Sequence, residues 1–145
     1  MNSYYAFALF SVTYFLLEFL YLALTLPHQK KHFARVQALP FRSLDFQIFP
    51  YGILAYAILA VSMWIFVLDH GRLLSAAPGH VKNILYRATW YALAVYGTYN
   101  LTNLTVFAGR YDPVMALQDT LWGVFVVNVS ALLVFYLVRG RFNGE

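Results

Sequence analysis

The stretch DPVMALQDTLWGVFVVNVSALLVFYLVR, residues 112–139, decides how the rest of the chain is read. Asp112 is a good helix N-cap and Pro113 suits the first helical position, where its missing N–H costs nothing. From there to Val138 the run is overwhelmingly apolar, and Arg139-Gly140-Arg141 closes it. About 20 mostly apolar residues are enough to cross a bilayer core about 30 Å thick. The spacing therefore predicts a membrane span over residues 113–138.

Working outward from it, three further stretches pass the same test. One covers residues 3–26 and ends at Pro27. A second covers 47–68, with Pro50 in its first turn and Asp69-His70-Gly71 beyond it. A third covers 84–107 and is closed by Ala108-Gly109. The first has no Lys or Arg ahead of it, carries Glu18 inside it and lacks an Ala-x-Ala site, so it is expected to be a span and not a cleaved signal. The connection from Pro27 to Phe46 carries Lys30, Lys31, Arg35 and Arg42 among Phe33, Val36 and Leu39. It is expected to hold a short interfacial helix over residues 28–39, stopped by Pro40.

The composition agrees. The chain has 145 residues, 61% of them apolar and 11% charged, with no cysteine. Soluble domains average about 45–50% apolar and about 25% charged. An ordinary soluble enzyme domain is excluded, and so are a disulfide scaffold, a Cys-ligated metal site and a thiol nucleophile. The expected fold is an all-α integral membrane protein. It is a single domain over residues 1–145, a four-transmembrane-helix bundle with both termini on the same side. The net charge of +4 does not imply nucleic acid, because no basic stripe could track phosphates. Arg72, Lys82, Arg87, Arg139 and Arg141 fall on the face shared by the termini. Lys30, Lys31, Arg35, Arg42 and Arg110 fall on the other. Five against five leaves the positive-inside rule without a preference, so orientation stays open.

Polar side chains inside spans are expensive and therefore informative. At a rise of about 1.5 Å per residue, Glu18, Asn100, Asn103 and Asp119 all lie about 6–12 Å below the face opposite the termini. Tyr14, Glu18 and Tyr21 share one helix face, as do Tyr96, Asn100 and Asn103, and Asp119 shares its face with Trp122 and Gly123. A glycine there lets a neighbour come close. Thr98, Thr102 and Thr105 fall on the other side of the third span, where each hydroxyl can return to its own helix. Tyr51 and Tyr56 are at a depth from which they could donate to the acids. One polar layer is expected, made of Glu18, Asn100, Asn103, Asp119, Tyr14, Tyr56, Tyr96 and Trp122. Its stronger reading is interhelical glue; the sharper one is a proton or ion path with Glu18 and Asp119 able to titrate. Asn128, on the opposite side of the fourth span from Asp119, is expected to mark contact with a partner or a second copy.

Other motifs carry no chemistry. Sequons begin at Asn100, Asn103 and Asn128, but they lie inside spans. His28 and His32 have i, i+4 spacing without a third ligand, and read as solvated interfacial histidines, so no metal is expected. No histidine lies within a span to hold a haem or chlorophyll; the abundant aromatic residues read as packing, and no cofactor is expected. There is no hydrolase, metalloprotease or phosphate-loop motif, so no enzyme is expected.

The run Tyr96-Gly97-Thr98-Tyr99-Asn100-Leu101-Thr102-Asn103-Leu104, followed by Asp119-Thr120-Leu121-Trp122-Gly123, resembles the signature of a family of small predicted membrane proteins of bacteria with no known function. That signature reads Tyr-Gly-Thr-Tyr-Asp-Leu-Thr-Asn and then Asp-x-x-Trp-Gly. Leu17-Glu18-Phe19-Leu20-Tyr21 is similar to its first-helix Asp-x-x-Trp run. Glu18 and Asn100 stand where the family tends to place aspartates, which weakens an inherited proton relay. The resemblance implies the four-span fold and extends to large DNA viruses with internal membranes, so a virion-membrane component is among the expectations. The function expected is that of a multi-pass structural or assembly component. It would contact the lipid bilayer and other membrane proteins or a homo-oligomer, in a cellular or a virion internal membrane. A small proton- or solute-coupled transporter is the alternative.

Overall fold

The computed structural model describes residues 3–37, 49–75 and 77–139. Regular structure among them is entirely helical: α1 (Ser3–Gln37), α2 (Phe49–Phe66), a 3-10 turn (Asp69–Leu74), α3 (His80–Ala92), a π-helical turn (Leu93–Gly97), α4 (Thr98–Val106) and α5 (Pro113–Val138). Two of these helices, over Tyr4–Val36 and Pro113–Val138, are long and apolar enough to cross a membrane, and Pro50–Phe66 is a shorter apolar helix.

α5 starts where its sequence says it should. The Asp112 carboxylate accepts a hydrogen bond from the Val114 N–H at 2.9 Å, and Pro113 occupies the first turn. α2 begins at Phe49 and ends at Phe66; residues 47 and 48 lie outside the described ones.

α1 departs from expectation. Pro27 does not end it, and residues 28–37 are its direct continuation instead of a separate interfacial helix; residues 38 and 39 lie outside those described. A proline inside a helix removes one N–H and crowds the preceding turn. Side-chain bonds tie the turns on either side together, from Gln29 Nε2 to Thr25 Oγ1 at 2.8 Å and from Thr25 Oγ1 to the Tyr21 carbonyl at 2.7 Å. The extension also has tertiary partners. Val36 packs with Tyr111 and Ala116, and Arg35 Nε donates to the Arg110 carbonyl at 3.1 Å.

Paired contacts set the topology. Tyr56 and Trp64 of α2 meet Tyr14 and Phe7 of α1 in that order, so the two helices are antiparallel. α5 is antiparallel to α1, since Trp122 stacks on Tyr21 while Asp112 meets Arg35. It is also antiparallel to the α3–α4 segment, through the Asn128–Thr89 and Asp119–Asn100 pairs. The core is one stripe per helix: Ala6, Phe10 and Tyr14 of α1, Met63 and Val67, Ile84, Ala88 and Ala92, and Val126, Val127, Ala131 and Val134 of α5.

The π-helical turn solves a phase problem. An α-helix advances about 100° per residue, so a stripe stepping by four from Ile84 through Ala88, Ala92 and Tyr96 to Asn100 would drift by about 160°. One extra residue in a π turn takes back about 100° of that drift. Ile84, Ala88, Ala92 and Asn100 are accordingly all buried.

Much of the outer surface is apolar. Leu16, Phe19, Tyr51, Leu54, Ile58, Leu117, Leu121 and Leu137 are all exposed. Soluble monomers rarely show contiguous apolar surface on this scale, and helices apolar all round belong in a bilayer or a large core.

Candidate functional site

The buried stripe of α1 runs Ala6, Phe10, Tyr14 and then turns polar at Glu18, which is 6% exposed. A carboxylate there needs donors. The Tyr96 hydroxyl donates to Glu18 Oε1 at 2.7 Å and pairs with the Tyr14 hydroxyl at 2.6 Å. Tyr96 reaches Glu18 because Gly123 of α5 leaves room for its ring; a Cβ on Gly123 would fall 2.6 Å from Tyr96 Cδ1 and nearer still to Cγ and Cδ2.

One turn on, Asn100 is 2% exposed. Its Nδ2 donates to Asp119 Oδ2 at 2.8 Å and to the Tyr96 carbonyl at 2.9 Å, with Thr120 Oγ1 at 3.2 Å. Two amide protons serve these three acceptors. Asn100 Oδ1 in turn accepts from the Tyr111 hydroxyl at 2.8 Å. Asn100 thus gathers Asp119 and Tyr111 one turn beyond the Tyr96 hydroxyl that serves Glu18. No Lys or Arg forms an ion pair with either acid among the described residues.

The other expected members differ in their roles. Trp122 stacks on Tyr21 with ring centroids 4.5 Å apart and planes 7° from parallel. Its indole N–H is buried and directed at Glu18, outside regular hydrogen-bond geometry. Tyr56 packs edge-on against Tyr14 and Phe15 and makes no hydrogen bond to an acid among the described residues. Tyr51 is 73% exposed, away from the layer, because this end of α2 has little of the bundle beside it. Asn103 is half-buried and lies next to Tyr111. Thr98, Thr102 and Thr105 are exposed, and Thr105 returns its hydroxyl to the Leu101 carbonyl at 2.9 Å.

Two positions are corrected. Asn128 does not offer an unmet amide to an outside partner: its Nδ2 donates to the Val124 carbonyl at 2.8 Å and to Thr89 Oγ1 at 3.2 Å, because α3 packs along that side of α5. His32 is not solvated. It is 6% exposed and packs edge-on against Tyr111 at 4.5 Å. Sequence reasoning missed Tyr111 and Thr120. Tyr111 immediately precedes the Asp112 cap, and the turn from Phe107 to Tyr111 folds it back under α4; the cap itself was the available signal.

No group of three or more His, Asp or Glu among the described residues is placed to hold a metal. Chemically, the layer is a set of neutral donors closed around two acids. No curated protein and no solved structure matches the chain. Residues 3–136 match a family described as "Predicted membrane protein (DUF2177)", whose function is unknown. With nearly the whole chain covered, and with helices of this length and apolar surface, the protein is a member of that membrane protein family.

Proposed function

We propose that the chain is a four-span, multi-pass membrane protein with both termini on one side, acting through protein and lipid contacts and without catalysis. The four spans would be α1 up to Pro27, α2, the α3–α4 segment and α5. The observation that carries this reading is that the polar layer is spent on itself. Tyr14, Tyr96, Asn100 and Tyr111 pair with one another, with Glu18 and with Asp119 at 2.6–2.8 Å, and the hydroxyl chain ends at Tyr14, which is 0% exposed. Such bonds fix the register of helices that have no hydrophobic driving force between them in lipid. The apolar exterior, on α2 above all, is left for lipid and for lateral partners, in a cellular or a virion internal membrane. Purification in mild detergent followed by mass spectrometry tests it. A stoichiometric partner or a homo-oligomer is the expected result, and a lone monomer counts against it.

A second reading, a small proton- or solute-coupled transporter, is favoured by one observation: two acids occupy a single layer without a countercharge. Proton flux into liposomes decides it, since flux unchanged by Glu18→Gln removes that reading.

A further inference from the structure

Where α1 runs past Pro27 it meets the start of α5, and an open cleft of ≈ 260 Å³ lies between them, lined by His28, Lys31, His32, Arg35, Asp112 and Met115. His28, Lys31, His32 and Arg35 follow i, i+3, i+4, i+7 and form one helix face. Lys31 has no ion pair among the described residues. Arg35 gives Nε to the Arg110 carbonyl, and its Nη2 lies 3.9 Å from Asp112, which leaves most of its five N–H groups unused. The Asp112 carboxylate is already engaged at the head of α5 and by Arg35. The lining therefore carries two cations against one carboxylate. His32 walls the same cleft, and both its ring nitrogens are buried without a partner among the described residues. A buried polar atom without a partner calls for a missing one, such as a water or an ion.

We propose that this cleft binds a phosphate group, carried by a membrane phospholipid or by a small soluble phosphate ester. Phosphate oxygens can accept from a guanidinium, an ammonium and an imidazole together. A volume of ≈ 260 Å³ is below the about 300–1,000 Å³ of drug-sized sites, so it suits a phosphate with its ester stub. Met115 supplies an apolar wall on the side where α5 enters its apolar run. The lipid source rests on the membrane-spanning reading above, which puts the cleft where phospholipid headgroups lie. The soluble source does not depend on it.

The test uses the full chain in neutral detergent. Native mass spectrometry and thermal unfolding are recorded with phosphatidylglycerol in one arm and with glycerol 3-phosphate or inorganic phosphate in the other. Lys31→Gln changes an exposed residue lining the cleft, and Lys30→Gln makes the same charge change outside it. Retention of one phosphatidylglycerol, weakened about tenfold by Lys31→Gln as for loss of one charge-assisted hydrogen bond and little by Lys30→Gln, supports the site with a lipid ligand. The same dependence in the second arm supports it with a soluble ligand, and still reports on the site should the chain prove not to span a membrane. Equal weakening by both variants, binding insensitive to both, or no binding in either arm overturns it.

Discussion

The Tyr96 ring rests against the backbone of Gly123, in the space a side chain would otherwise fill. This contact fixes how closely the π-helical turn approaches α5, and it aims the Tyr96 hydroxyl at Glu18. Gly123→Ala should therefore force the ring aside and break the Glu18 bond. The expected cost is about 1–3 kcal/mol, as for overpacking elsewhere, read as a lower Tm in detergent. Adding Gly123→Ala to a Tyr96→Ala background should cost far less than it does alone, because the clash is gone. Additive losses would show that the two residues do not act through each other.

Tyr96→Phe removes the hydroxyl shared by Glu18 and Tyr14. The expected loss is about 0.6–2 kcal/mol, the range for interhelical hydrogen bonds in membranes. Tyr14→Phe should add little to it, since both changes interrupt one chain of bonds. A reversible unfolding titration of the two single variants and the double variant measures the coupling.

His32 gives the fold a pH dependence. Burial, and then the neighbouring Arg35, hold its imidazole below the usual histidine value, with Asp112 opposing. The unfolded chain then binds the proton more readily than the folded one, so the contribution of this residue is intact above about pH 6.5 and is lost as the pH falls below it. Between pH 8 and pH 5 the fall in Tm should be larger for the native chain than for His32→Phe. Equal falls would place the titrating group elsewhere.

The absence of native cysteine makes the topology directly readable. Single cysteines placed at Lys82 and Arg139 should react with a membrane-impermeant maleimide from one side of sealed vesicles. One placed at Arg110 should react only from the other. Labelling of all three from one side contradicts the four-span arrangement.

Much of this was legible in the sequence because the signals are local. Asp112-Pro113 marks the start of α5 by its own capping chemistry, and the i, i+4 spacing of Tyr14 and Glu18, and of Tyr96 and Asn100, placed each pair on one face. What was not legible depends on neighbours. Pro27 looked like a stop, since nothing nearby in sequence announces that Val36 and Arg35 will be held by Tyr111 and Arg110. Asn128 looked unmet because Thr89, 39 positions away, supplies its partner only after α3 packs. His32 looked wet for the same reason.

The π-helical turn at Leu93–Gly97 also constrains how this chain can vary. Deleting one residue within the turn would remove about 100° of winding, and relaxation of the turn to ordinary helix would return about 100°, so Asn100 would keep its place beside Asp119 and Tyr111. A deletion in the regular winding of α3 has no such compensation and would swing everything beyond it by about 100°, carrying Asn100 away from both partners. The turn thus acts as one residue of slack, a place where this segment can shorten without losing register.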